Sequence, residues 1–271
     1  MNLIAIGDNV VDCYLDQEKY YPGGNCVNVA VNAKRNGAEN VAYIGIFGTD
    51  EKAEHIKYAL NKESIDFKAA RTAEGISGQP QVSLTTEGDR VFIGGPKNTV
   101  QHLLKLQLTD EDLDFISDYD LCHVSCYSSM ESELPKLSKV IDISYDFSNN
   151  LDLEYVELVA KHIKHAFFSV AELTDEELKQ FMDEIKVFNF EVVALTRGSL
   201  PALFIKGDYI YEQNLQPIKV VDTMGAGDSL IAGFLVNYIS GENMRVSLER
   251  ATHSAENTCK IYGGFGYPRE F

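Results

Sequence analysis

Short apolar runs alternate along the chain with longer stretches whose apolar residues recur every three or four positions. The runs LIAIG (3–7), VAYIG (41–45), LCHVSC (121–126), VIDISYDF (140–147), HAFFSV (165–170) and FEVVALT (190–196) read as strands. Helical patterns fall between them at about 24–36, 51–62, 109–117, 131–138, 151–163 and 174–188, several with caps such as Thr109 or Thr174 followed by acids. Two longer helices are expected at about 226–240 and 244–262. Such alternation predicts an α/β fold, a parallel sheet covered by helices on both faces.

Two segments break the rhythm. The run CYLDQEKYY (13–21) and the pair QVSLTT (81–86) and RVFIGG (90–95), joined around Glu87-Gly88-Asp89, alternate with period two. They predict a small antiparallel sheet outside the main one, a lid rather than an independent domain. A further hairpin is expected over FIKGDYIYEQ (204–213), turning at Gly207-Asp208. Neither repeats nor linkers interrupt the chain.

The 271 residues carry 41 acidic and 24 basic side chains, a formal charge of −17. A surface of that sign repels nucleic acid and anionic lipid, so neither is an expected partner. Five cysteines, at 13, 26, 122, 126 and 259, lack the spacing of a zinc site or a disulfide framework. With neither a signal-like start nor a run of about 18 apolar residues, the expected compartment is reducing and cytoplasmic.

Chemistry enters with VVDTMGAGDS (220–229), a loop of small residues feeding a helix. Unpaired N–H groups at a helix start favour a phosphate, and glycine lets it approach the backbone closely. Asp228 is out of place there unless its carboxylate serves a neighbouring hydroxyl. Amides at Gly225, Ala226 and Gly227 for the transferred group and an acid for the attacking alcohol together suit phosphoryl transfer. Taken alone, the four residues also read as a helix cap with tight packing.

A second motif, PGGNCVNVAVNAKRNG (22–37), opens a helix with two glycines and sets Asn25 and Asn28 on neighbouring positions of one face. Amide side chains both donate and accept, as recognition of a polyhydroxyl compound requires; taken alone, both residues also read as cap or turn positions. Asp12, in IGDNVVD after the first strand, is placed for further hydroxyls. His123 and Cys126 read as core and strand-end residues rather than ligands.

In this order the segments resemble the ribokinase-like, or PfkB, family of sugar and nucleoside kinases, over most of the chain. The resemblance implies a three-layer α/β/α sandwich with a mostly parallel central sheet, a single domain over 1–271 with a discontinuous β lid from about 13–22 and 79–96. It implies Asp228 as catalytic base and Gly225, Ala226 and Gly227 as the anion hole. Asp8, Asp12, Gly23, Gly24, Asn25 and Asn28 fall on the substrate side; Arg90, read from its place in the lid, meets either a substrate carboxylate or solvent at a charged edge. Thr196, Arg197 and Gly198 resemble the nucleotide segment, and Asn257 lies on the helix that walls the adenine pocket. Asp222 matches a position associated with a monovalent cation such as K+. Glu172 matches the acid that helps organise Mg2+ through water, but Ser169 stands where many members have Asn, and Pro201 replaces a second glycine.

The family implies ATP with Mg2+ and a primary hydroxyl as acceptor. The strings IGDN, GGNCVNVAV and DTMGAGDS look most like the branch that phosphorylates fructoselysine at O6. A homodimer through the lid is expected. Another sugar or nucleoside kinase of the family, or a non-catalytic ligand-binding member, is the alternative. A Rossmann oxidoreductase would need G-x-G-x-x-G after an early strand and a P-loop enzyme G-x-x-x-x-G-K-[ST]; neither stands in its place.

Overall fold

A strand buried on both faces sends alternate side chains into two different cores, and the first strand does so. Leu3 and Ala5 join one apolar cluster, Ile4 and Ile6 the other. In this computed structural model, which describes residues 1–85, 90–213 and 218–271 (residue 90 for its backbone alone), the same division runs through the sheet: Phe167 and Ala194 on one side, Phe168 and Leu195 on the other.

The sheet has eight strands, in the order Tyr209–Gln213, Leu200–Lys206, Val192–Arg197, His165–Ser169, Ile143–Ser148, Leu121–Ser125, Leu3–Ile6 and Val41–Ile44. From Val41–Ile44 to Val192–Arg197 every neighbour is parallel, so the carboxyl ends of six strands share one edge. The Gly207 hairpin adds the last two strands antiparallel. Helices Asn25–Arg35, Ala226–Ile239 and Met244–Thr258 contribute to one core; Leu153–Ala160 and Asp175–Ile185 contribute to the other.

Local signals account for many boundaries. Thr109 and Thr174 each close a capping box, with Asp112 and Glu177 respectively, as their spacing predicts. Asp50 caps the helix Glu51–Lys62 by accepting from Ala53 N–H. The C-terminal helices approach so closely at Gly233 that a Cβ there would lie 2.9 Å from Ala251 Cα.

Other boundaries move. The run at 13–21 is two strands, Val10–Tyr14 and Lys19–Gly23, separated by a 3₁₀ turn over Leu15–Gln17 that closes on Glu18 at φ 53°. The smaller sheet has five strands, because Arg269–Glu270 adds to its edge beside Lys19–Gly23. Nor is it wholly antiparallel: Val10–Tyr14 and Gln81–Leu84 run parallel, the chain between them crossing through the main sheet before it returns. Its hairpin turn at 87–89 lies outside the described residues. The helix expected at 131–138 shrinks to Leu134–Leu137, where Pro135 suits a helix start, and the strand expected from 140 begins at Ile143. The last helix stops at Thr258 rather than 262, ahead of a loop in which Gly263 takes φ 70°.

Candidate active site

Asp8 follows the first strand, and its carboxylate accepts from the N–H of Asn25 at 2.7 Å and of Cys26 at 3.5 Å. An acid from a neighbouring loop thus caps the helix Asn25–Arg35, where the dipole favours negative charge. Ser125 Oγ also donates to it, at 3.1 Å. Asp8, expected on the substrate side, is therefore spent on placing the helix that carries Asn25 and Asn28. The bend into that helix needs Gly24, which has φ 102° and no room for a Cβ: Asn9 Cα and Asp8 carbonyl oxygen would both lie at 2.9 Å. At Gly23 a Cβ would meet Asp12 Oδ2 at 2.2 Å, so the glycine makes the space that the buried Asp12 carboxylate occupies.

Held in this way, the helix turns both amides toward Asp228. Asn25 Nδ2 donates to Asp228 Oδ1 at 2.8 Å, and Asn28 Nδ2 donates to Asp228 Oδ2 at 2.7 Å. One donor on each oxygen fixes the plane of the carboxylate. Asn25 Nδ2 also donates to Asp146 Oδ2 at 2.6 Å, so one NH2 group serves two acids. The other oxygen of Asp146 accepts from Ser148 N–H at 2.8 Å.

Asp228 lies in the first turn of the helix Ala226–Ile239, whose cap Gly225 has φ 72°. The first helical bond runs from Ser229 N–H to Gly225 C=O, leaving Gly227 N–H outside the ladder, beside an exposed glycine with open space where a side chain would be. That surface suits an anion, and the half-buried acid next to it suits a proton.

Asp222, expected at a monovalent-cation site, lies behind the loop that leads to Asp228 and is tied to three donors of the protein. It is fully buried, Oδ1 accepting from Met224 N–H at 2.9 Å and Oδ2 from Gly263 N–H at 2.8 Å and from the Tyr14 hydroxyl. Both oxygens accept from protein donors. Burial and the Asp222 charge push the Tyr14 phenol far above its ordinary range, so it is a permanent donor. The residue ties the loop before Asp228 to a strand of the smaller sheet and to Gly263.

The other expected positions stand apart from this cluster. Thr196 and Gly198 lie at the end of the strand Val192–Arg197, on the same sheet edge, and Thr196 Oγ1 donates to Phe168 C=O. Arg197 pairs with the exposed Asp175 at 3.3 Å. Glu172 sits exposed in the turn after His165–Ser169. Asn257 is exposed and bonded to His253 and Lys260. Arg90 belongs to a strand of the smaller sheet, and its side chain lies outside the described residues. Among the described residues no three of His, Cys, Asp and Glu cluster as a metal site would require.

Four contributors carry no expectation from the sequence, namely Asp146, Gly263, Gly264 and Tyr14, and a fifth, His123, is buried as its core reading expects. Asp146 lies near the carboxyl end of the parallel strand Ile143–Ser148, a position that is itself a signal. Gly263 and Gly264 form a glycine doublet, the usual mark of close approach: a Cβ at Gly264 would lie 2.4 Å from Asn28 Oδ1, while one at Gly225 would lie 2.6 Å from Gly264 Cα. Tyr14 and His123 carry no local signal for their contacts.

Residues 1–264 match the family described as pfkB family carbohydrate kinase. The chain is 42% identical over 267 residues to a fructosamine kinase of Bacillus subtilis, covering 98% of this chain and 94% of that one. It is 31% identical over 264 residues to a fructoselysine 6-kinase of Escherichia coli, covering 97% and 99%. In structure it is similar to a ribokinase of Arabidopsis thaliana complexed with ribose and ATP, with a TM-score of 0.81 at 17% identity over 97% of this chain and 93% of that one.

A methyl group at Gly264 must displace Asn28 from Asp228. Gly264→Ala is expected to lower kcat by about 10²-fold, the scale of a misplaced catalytic group, with KM for ATP nearly unchanged. Steady-state kinetics and a melting curve check this; a folded variant with wild-type kcat would show that the close approach is only packing.

Proposed function

The chain belongs to the pfkB family of carbohydrate kinases, and from that membership we propose that it transfers the γ-phosphate of ATP to O6 of fructoselysine. The observation that carries the reading is the carboxylate of Asp228 held by Asn25 and Asn28 beside a helix start. The relatives named as fructosamine and fructoselysine kinases, matched over nearly their whole length, support the choice of acceptor. Charge supports it as well. A site that gathers Asp8, Asp12, Asp146 and Asp228 on a chain of net charge −17 attracts an acceptor bearing an ammonium group and repels a sugar already phosphorylated.

Members of the family use ATP, and this reaction is a phosphoryl transfer to an alcohol. The acceptor lies against Asp12 and Asn28 with its primary hydroxyl facing Asp228. Of the expected amides of Gly225, Ala226 and Gly227, Ala226 N–H donates to Thr223 C=O at 3.2 Å, so Gly227 N–H is the donor best placed for the charge that develops on the transferred phosphoryl group. Asp228 accepts the hydroxyl proton as O6 bonds to the γ-phosphorus and the bond to the leaving ADP breaks in line; no covalent enzyme intermediate forms. Thr196 to Gly198 and the last helix flank the nucleotide. Glu172, exposed after the strand His165–Ser169, would hold Mg2+ through water, and the ion would supply neutralisation of phosphate charge when bound with ATP. The smaller sheet acts as a lid that excludes water from the transfer.

Two copies of the lid meet in a homodimer. The strand Arg90–Gly94 is an edge of the smaller sheet and exposes Val91, Phe92 and Ile93, a combination that favours pairing with another chain.

Three outcomes are expected. Asp228→Asn removes the proton acceptor at constant size and lowers kcat by about 10² to 10⁴, while ATP binding is retained; near-normal turnover would remove Asp228 from the mechanism. Coupled ADP-release assays across fructoselysine, other fructosamines, fructose, ribose and adenosine give the highest kcat/KM with fructoselysine, and a clear lead for ribose or adenosine would overturn the acceptor. Sedimentation at micromolar concentration finds a dimer; monomer alone would contradict the lid contact.

A further inference from the structure

Behind Asn25 lies a buried pair that the transfer itself does not touch. His123 and Ser144 sit directly opposite each other on the parallel strands Leu121–Ser125 and Ile143–Ser148, both fully buried. His123 Nδ1 lies 2.7 Å from Ser144 Oγ, and His123 Nε2 lies 3.0 Å from Asn25 Oδ1.

We propose that His123 is a positioning residue for phosphoryl transfer: its hydrogen bond to Asn25 fixes which end of that amide faces Asp228 and Asp146. The proposal rests on Asp228 as the proton acceptor argued above. An amide is nearly symmetric in shape, so only its partners decide where oxygen and NH2 lie. In front of Asn25 stand two carboxylates, at 2.8 and 2.6 Å from Nδ2, which can only accept while ionised. Rotated by half a turn, the amide would put its oxygen against both.

The rear partner must therefore donate, and Ser144 sets that up. The serine hydroxyl donates to Nδ1, which places the imidazole proton on Nε2, where it points at Asn25 Oδ1. Burial drives the His123 pKa down to about 3, so the ring remains neutral and keeps this arrangement across the working range of pH. The sequence of donors runs from Ser144 to His123 to Asn25 and ends at the two acids. Every polar atom of the Asn25 side chain is used in it.

The test compares His123→Leu, His123→Gln, His123→Asn and Ser144→Ala, alone and with Asn25→Ala, using fructoselysine and ATP. Gln carries an N–H in the place of Nε2, whereas Asn carries one in the place of Nδ1. Leaving the buried Asn25 oxygen without its donor is expected to lower kcat about tenfold in His123→Leu, with KM for ATP unchanged. Gln restores kcat to within about threefold and Asn does not. Ser144→Ala, which frees the tautomer, lowers kcat by about threefold. In the Asn25→Ala background His123→Leu adds no further loss.

Wild-type kcat in His123→Leu, or an equal loss in the Asn25→Ala background, would overturn the proposal. Should the Leu variant fail to fold, unchanged kcat in Ser144→Ala together with no difference between Gln and Asn would overturn it instead. Asp228→Asn separates the two claims: full turnover there overturns the base and this proposal with it, whereas an inactive Asp228→Asn beside a fully active His123→Leu overturns only the role of His123.

Discussion

Two asparagine amides, three residues apart on one helix, hold the two oxygens of one carboxylate on another. Much of the surrounding structure serves that contact. It requires the helix Asn25–Arg35 to start at one particular place and angle, which Asp8 secures by accepting from the first N–H groups of the helix. It requires the helix Ala226–Ile239 to begin close by, which the αL cap at Gly225 allows. Acids packed this closely would repel one another without donors between them, and Asn25 supplies one N–H to each of two.

Small residues set the remaining distances. Gly23 and Gly24 bring the smaller sheet and the loop after the first strand against the helix start, and Gly264 lies close against both Asn28 and Gly225. The Tyr14–Asp222–Gly263 hydrogen bonds then join three segments far apart in the chain: a strand of the smaller sheet, the loop before Asp228 and the turn after the last helix. That link couples the position of the smaller sheet to the shape of the loop before Asp228.

The layered fold was legible because strands buried on both faces read as continuous apolar runs, and because Thr109 and Thr174 announce their helices by spacing. Parallel pairing of Val10–Tyr14 with Gln81–Leu84 was not, since a strand's own pattern says nothing of its partner's direction. In the site, Asn25, Asn28, Gly225 and Asp228 are singled out by two motifs, and the structure brings both asparagines onto Asp228, a contact that neither motif announces. Asp222 and Asp8 show the limit. An acid's place in a motif does not reveal whether an ion, a substrate or a backbone N–H claims its oxygens, and here protein donors claim them. His123 reads as a core residue and is buried as one, but its contact with Asn25 was not legible, because the two lie 98 positions apart.

The central claim is that Asp228 serves the acceptor alcohol while the neighbouring amides serve the phosphate. Single-turnover quench-flow on an Asn25→Ala/Asn28→Ala variant, with ATP binding measured separately by calorimetry, tests it most directly. The transfer step should slow by about 10²-fold or more, because the carboxylate loses both groups that aim it, while the Kd for ATP changes by no more than about threefold. An unchanged transfer rate, or a loss of ATP affinity as large as the loss of rate, would contradict it.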